Sequence, residues 1–301
     1  MPEQAGTPDP AANRMSVWAT AQQTGPAQRK GRYVPESTAH PARMLPAIAA
    51  HAIATYTRPG DIVLDPMCGI GTTIVEAMHA GRDGIGVEYE AQWAAVADLN
   101  VRHTQTAGAT GRGMITRGDG TRLTAILPAH LHGQVALVVT SPPYGPAVHG
   151  HITAGPDGVT KTAATYGDRD DERGNLAHQT QNGLVDAFTH ILRGCRVVLR
   201  PGGVVVVTAR PYRKRGELID LPSAVIAAGL AAGLEPVERC VALLAGVRAG
   251  KIIARPSFFQ LQTVRKARAG GIPLHLISHE DVLVLRRPHD GRPGHPEVGE
   301  G

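Results

Sequence analysis

The chain has 301 residues, of which 42% are hydrophobic and only 4% aromatic, so it can bury one large α/β core filled by Val, Leu, Ile and Ala. No apolar run reaches the roughly 18 residues of a membrane span, Met1–Pro10 does not resemble a signal peptide, and Cys68, Cys195 and Cys240 are too scattered for a disulfide framework or a zinc knuckle. These features imply reduced thiols in a cytoplasm, no membrane and no metal, and the net charge of +5 favours a polyanionic partner.

Residues 1–33 are rich in Ala, Pro, Gln and Thr without apolar periodicity. They read as a disordered N-terminal arm that carries Arg29, Lys30 and Arg32. Strands and helices then alternate. A strand at Ile62–Leu64 precedes a helix at Thr73–His79, and a strand at Gly84–Val87 precedes a helix from Ala91 to about His103. Apolar strands follow at Val135–Val139, Val204–Val207, Val237–Leu244 and Val282–Leu285. This alternation predicts a doubly wound sheet with helices on both faces, formed by residues 34–287. The rhythm breaks at about 146–183 and 246–279, which read as insertions, and residues 288–301 read as a disordered tail.

Asp65-Pro66-Met67-Cys68-Gly69-Ile70-Gly71-Thr72-Thr73 stands where the first strand hands over to its helix. Gly69 and Gly71 allow a tight turn and close approach to a ligand. Glu88, about 23 positions after Asp65, closes the next strand, where a carboxylate can accept from two ribose hydroxyls. Asp119 ends a third strand and suits an adenine amino group. A pyrophosphate site would want a third glycine where Val75 stands, and it would be repelled by Asp65. Asp65 suits an ammonium instead, so the loop is read as an S-adenosylmethionine site and not a nicotinamide dinucleotide site.

The strand at Val135–Val139 runs into Thr140-Ser141-Pro142-Pro143-Tyr144. An exocyclic base nitrogen is a poor nucleophile because its lone pair is delocalised into the ring. Two acceptors that each take one N–H can turn that lone pair toward an electrophilic methyl group. The Ser141 hydroxyl and the Pro142 carbonyl suit this task, held rigid by Pro142 and Pro143, and Tyr144 offers a stacking face for an extruded base.

With these residues in place, the chain resembles the DNA amino-methyltransferases that act on cytosine N4 or adenine N6, whose signature is matched by Ser141–Tyr144 and whose cofactor motif is matched by Asp65–Thr73. His40-Pro41-Ala42-Arg43-Met44-Leu45-Pro46 resembles the segment that contacts the methionine end in that family. His279–Leu285 resembles its closing strand. The resemblance implies a Rossmann-like class I methyltransferase fold with a seven-stranded, mostly parallel sheet and an antiparallel last strand. It implies S-adenosylmethionine as cofactor, held by His40, Pro41, Asp65, Pro66, Cys68, Gly69, Gly71, Thr72, Glu88 and Asp119. Serine at the head of the tetrapeptide implies cytosine N4 in DNA. The large target-recognition region of restriction-modification members is missing, so a tRNA or rRNA base methyltransferase of the guanine-N2 type stays open, as does a catalytically silent nucleic-acid-binding protein.

Between Gly246 and Ala269 stand Arg248, Lys251, Arg255, Arg265, Lys266 and Arg268, with Phe258 and Phe259 among them and no acid. This pattern suits phosphate contact and base stacking, and DNA is the expected partner. Arg210, Arg213, Lys214 and Arg215 are expected on the same rim. His149, His151 and the Asn175–Gln179 stretch are further candidates for substrate contact.

Overall fold

The computed structural model describes residues 15–40, 42–143, 151–155, 158–162, 181–214, 217–256 and 258–289. In chain order the elements begin β1 (Val17–Trp18), α1 (Gly25–Arg29), α2 (Pro46–Tyr56), β2 (Ile62–Asp65), α3 (Thr72–His79), β3 (Asp83–Glu88) and α4 (Ala91–Thr106). There follow β4 (Gly113–Arg117), α5 (Leu123–Ile126), β5 (Val135–Thr140), β6 (His151–Gly155), β7 (Gly158–Thr162), α6 (Gln181–Val198) and β8 (Leu199–Ala209). The last are β9 (Tyr212–Lys214), β10 (Glu217–Ile219), α7 (Leu221–Ala231), β11 (Glu235–Leu243), β12 (Gly246–Arg248), β13 (Lys251–Ile253), α8 (Phe258–Ala269) and β14 (His279–Arg286).

The main sheet has the order β1-β11-β14-β8-β5-β2-β3-β4. Strands β2, β3, β4, β5 and β8 run parallel, whereas β14 is antiparallel to both β8 and β11. The expected doubly wound sheet with an antiparallel last strand is therefore present. Its eighth member, β1, is a two-residue strand parallel to β11, too short to register as a pattern. The chain winds outward through β2, β3 and β4, then returns to place β5 on the other side of β2. The switch point of this topology thus lies between β2 and β5, where the carboxyl ends of the strands leave a crevice.

Central strands are covered on both sides, which is why their sequences are continuous apolar runs rather than alternating ones. Every residue of β5 is buried. One face packs Leu64, Val138, Val205 and Leu283 against Ile191 and Leu192 of α6 and Val225 of α7. The opposite face packs Val63, Leu137, Val139 and Val206 against Ile48, Ala49 and Ile53 of α2. No helix among the described residues is long and apolar enough to cross a membrane.

The structure departs from the expected mobile arm, because from Met15 onward that segment is folded. Trp18 is 3% exposed and its ring lies 4.3 Å from that of His51. The Tyr33 hydroxyl donates to Glu76 Oε1 at 2.7 Å, and Arg32 Nη2 donates to Glu76 Oε2 at 2.6 Å. Arg255, from the second insertion, donates to the carbonyls of Ala21 and Gln22. Isolated anchors separated by polar residues create no periodicity, so they left no pattern to read. Tyr33→Phe should lower stability by about 1–3 kcal/mol, because it leaves a buried carboxylate oxygen short of a donor. Urea unfolding of the two proteins would measure the difference.

The second insertion is ordered as the β12–β13 hairpin and α8. The first contains the β6–β7 hairpin, and the rest of it up to residue 180 lies outside the described residues. The tail is described as far as His289, whose ring lies over Gly202.

Candidate active site

The turn after β2 is built around Asp65. Its Oδ1 accepts from the Met67 amide (3.1 Å) and the Thr140 hydroxyl (2.8 Å), and its Oδ2 accepts from the Thr73 hydroxyl (2.9 Å). One carboxylate thus ties β2, α3 and β5 together at the switch point. Burial pushes it up to about 6, opposed by the bonds from Thr140, Met67 and Thr73. Gly69 and Gly71 adopt φ of 52° and 80°, in the left-handed region that favours glycine. A Cβ on Gly69 would stand 3.1 Å from His40 Nε2 and one on Gly71 would stand 3.3 Å from Ala97 Cβ. Gly71→Ala should therefore cost about 1–2 kcal/mol from the backbone conformation alone, read as a lower chemical-denaturation midpoint.

Glu88, at the end of β3, faces this loop. Its Oε2 accepts from the Gly69 amide at 2.8 Å and its Oε1 from the Glu90 amide at 2.9 Å. Burial raises it to about 7 despite those two bonds. Asp119 follows β4 and accepts from the Thr121 amide. His40 is buried over the loop, edge-on to Trp93 with ring centroids 4.6 Å apart.

A cavity of about 450 Å³ opens at this edge, within the range of about 300–1,000 Å³ usual for small-molecule sites. His40, Asp65, Pro66, Cys68, Gly69, Thr72, Glu88 and Asp119 all line it, and so do Ser141, Pro142 and Pro143. Residues 101 positions apart in the chain, His40 and Ser141, are therefore neighbours of one space. Gly71 is not in the wall; it packs against α4 instead. Pro41 and Tyr144 lie outside the described residues, as do His149 and the Asn175–Gln179 stretch. His151 falls on β6.

The cavity also holds residues that sequence reasoning missed. Ile48 of α2 extends the apolar wall that Met44 and Leu45 of the His40–Pro46 segment begin, and Tyr89 follows Glu88 directly. The signal for Tyr89 was its place after the strand-closing acid. Thr208, Arg210, Leu244 and Glu280 close the far side. They lie at or just past the ends of β8 and β11 and at the start of β14, and only the order of the sheet brings them to this edge. Arg210, expected on a basic rim, is instead in the cavity wall, 3.5 Å from Glu280.

The basic stretch is divided by the structure. Arg248 and Lys251 are exposed at the turn of the β12–β13 hairpin, and Arg265 and Lys266 are exposed on α8. Arg255 is engaged with the N-terminal segment, and Phe258 begins α8. Among the described residues, no group of three His, Cys, Asp or Glu side chains is arranged to hold a metal ion.

The cavity's chemistry distinguishes between nucleotide cofactors. Asp65, Glu88, Glu90, Asp119 and Glu280 contribute carboxylates, against the guanidinium groups of Arg43 and Arg210. An acidic cavity in a protein of net charge +5 suits a cationic ligand and opposes a pyrophosphate. S-adenosylmethionine, which carries a sulfonium and an ammonium against one carboxylate, fits it. Glu88 would accept from the ribose hydroxyls, Asp119 would meet the adenine, and Asp65 and His40 would flank the methionine end.

A doubly wound sheet with a glycine turn and an acid-lined cavity at its switch point is the Rossmann-like methyltransferase fold. It is shared with a methyltransferase from Pyrococcus furiosus (TM-score 0.50, 12% identity, covering 88% of this chain and 94% of that one). It is shared also with TrmN from Thermus thermophilus (TM-score 0.50, 17% identity, covering 86% and 52%). Residues 7–98 match the family model described as DNA methylase. The Type II methyltransferase M.HinfI of Haemophilus influenzae is 33% identical over 87 residues, 29% of this chain. The match spans only 24% of that relative's length. The family match ends before Ser141, so the cofactor loop lies within it and the tetrapeptide does not.

Proposed function

We propose that this chain transfers the methyl group of S-adenosylmethionine to an exocyclic amino nitrogen of a nucleic-acid base, and that the nitrogen is cytosine N4 in DNA. The observation that carries this reading is the single cavity shared by Ser141-Pro142-Pro143 and by the acids Asp65, Glu88 and Asp119. When bound, S-adenosylmethionine supplies an electrophilic methyl group and a neutral thioether leaving group.

The chain's residues then have to hold and aim a weak nucleophile. Ser141 Oγ and the Pro142 carbonyl accept the two N–H groups of the base amine, which draws its lone pair out of conjugation with the ring. Thr140 is anchored to Asp65 at 2.8 Å, so the peptide leading into Ser141 is fixed relative to the cofactor turn. A nitrogen–carbon bond forms as the sulfur–carbon bond breaks. The extra proton then leaves the nitrogen for water, and no strong base is required beforehand. Tyr144 is assigned the stacking face for the extruded base. Arg248, Lys251, Arg265, Lys266 and Phe258 are assigned to the nucleic acid, the cations to phosphates and the phenylalanine to stacking. DNA rests on the match of residues 7–98 to the DNA methylase model, and cytosine N4 on the serine that heads the tetrapeptide.

The test uses purified full-length chain, labelled S-adenosylmethionine, and separate pools of duplex DNA, single-stranded DNA and total RNA, each digested to nucleosides and identified by mass. Formation of N4-methyldeoxycytidine is the expected result. N6-methyldeoxyadenosine would keep the chemistry and correct the base. Label in RNA alone would replace DNA with the guanine-N2 type of RNA reading. Binding of S-adenosylmethionine with no label in any pool would sink the transfer itself.

A further inference from the structure

The side of the cavity away from the cofactor turn is polar in a specific way. Strand β8 runs beside β5 with Thr140 opposite Val207, so Thr208 stands beside Ser141 and Arg210 lies two residues further along. Across the β8–β14 ladder Ala209 pairs with Asp281, which sets Glu280 opposite Arg210. Successive side chains on a strand point to opposite faces. Asp281 is engaged by Arg239 of β11 at 2.8 Å, while Glu280 lines the cavity. The Arg210 guanidinium lies 3.5 Å from the Glu280 carboxylate, and their side chains are only 19% and 17% exposed. A charge pair in the wall of a ligand cavity, on the face that carries Ser141, is placed to meet the edge of whatever base presents its amine to Ser141.

We infer that Arg210 reads the N3–O2 edge of the target cytosine and that Glu280 is a positioning residue that holds the guanidinium in place. The inference rests on the reading of cytosine N4 as the methylated nitrogen. Once the two N4 hydrogens are taken by Ser141 and Pro142, the remaining Watson–Crick edge of cytosine presents two acceptors, N3 and O2. The planar guanidinium fork donates two parallel N–H groups and has five in all, so it can meet that edge while still facing Glu280. Adenine with N6 at the same place offers N1 but a C–H where cytosine has O2, which leaves one donor buried without a partner. Guanine with N2 at that place presents the N1–H, a donor, against the cation. The pair therefore favours cytosine over both purines by chemistry rather than by size.

The experiment compares wild-type chain with Arg210→Ala, Arg210→Lys and Glu280→Gln. Three quantities are read on mixed-sequence DNA: kcat/KM for N4-methylcytosine, the ratio of N4-methylcytosine to N6-methyladenine, and the S-adenosylmethionine Kd by calorimetry. Arg210→Ala should lower kcat/KM about 10- to 100-fold and shift the product ratio toward adenine, with the cofactor Kd unchanged. Arg210→Lys should recover little, because an ammonium cannot donate to both acceptors at once. Glu280→Gln should lower kcat/KM less than Arg210→Ala and keep the product ratio. An Arg210→Ala protein with wild-type rate and product ratio overturns the inference. So does one whose cofactor Kd and thermal midpoint fall together with its rate, which would make the pair merely structural. A wild-type chain that makes no N4-methylcytosine overturns the cytosine reading itself, and the inference with it.

Discussion

Ser141→Ala should reduce methyl transfer by roughly 10²–10³-fold, the size of effect seen when one preorganised polar partner of a transition state is removed. The loss should fall on kcat. The Ser141 hydroxyl is needed when the amine turns toward tetrahedral geometry, and it contributes less to holding a planar ground-state base. S-adenosylmethionine affinity should be unchanged, because the cofactor loop is organised by Asp65, Thr73 and Thr140 and not by Ser141. Single-turnover kinetics with saturating cofactor, paired with calorimetric binding, would separate the two. A Ser141→Ala protein with full rate would show that the tetrapeptide is only a turn. Loss of cofactor binding in that variant would show that its role is structural.

Glu88→Ala should weaken S-adenosylmethionine binding about 10²–10⁴-fold. It removes the carboxylate assigned to the two ribose hydroxyls, and each hydrogen bond to a charged group contributes about 1.5–3 kcal/mol. It also leaves the Gly69 and Glu90 amides without their acceptor, loosening the loop that surrounds the cofactor. The same carboxylate predicts a pH dependence. Burial raises Glu88 to about 7, so in the free protein it is mostly protonated at pH 6 and mostly ionised at pH 8. Hydroxyl donors bind the ionised form, so the wild-type Kd should be about tenfold weaker at pH 6 than at pH 8, with proton release on binding below pH 7. Because the folded value lies above the unfolded one, the free protein has the reverse trend in stability. This group's contribution is present below about 4.5 and is lost as pH rises through 7. Calorimetry across that range checks both, and Glu88→Gln should flatten the binding profile. A wild-type Kd that is flat from pH 6 to 8 would remove Glu88 from the ribose.

Much of this architecture is legible in the chain. Gly69 and Gly71 mark the turn after the first strand because a left-handed backbone is costly for other residues. The run Val135–Val139 marks a central strand because both of its faces are covered, and Glu88 and Asp119 stand at strand ends, where a carboxylate can meet a ligand. Each of these signals is local. The chemistry needs particular residue types within a few positions of a strand's carboxyl end, and that requirement is written in neighbouring letters.

What escaped reading is non-local. Trp18, Tyr33 and Arg255 each tie the N-terminal segment to a partner far along the chain, so no window of residues displays the contact. Arg210 read as one member of a basic cluster until the register of β8 against β14 set it opposite Glu280. The alternation of elements, the glycine turn and the tetrapeptide are local features, readable in the chain alone. The tertiary structure decided the strand order, the folding of residues 15–33 and the composition of the cavity's far wall. The reason is geometric: a sheet edge collects the ends of strands distant in the chain, and pairing across β5, β8, β14 and β11 determines which side chains share that edge.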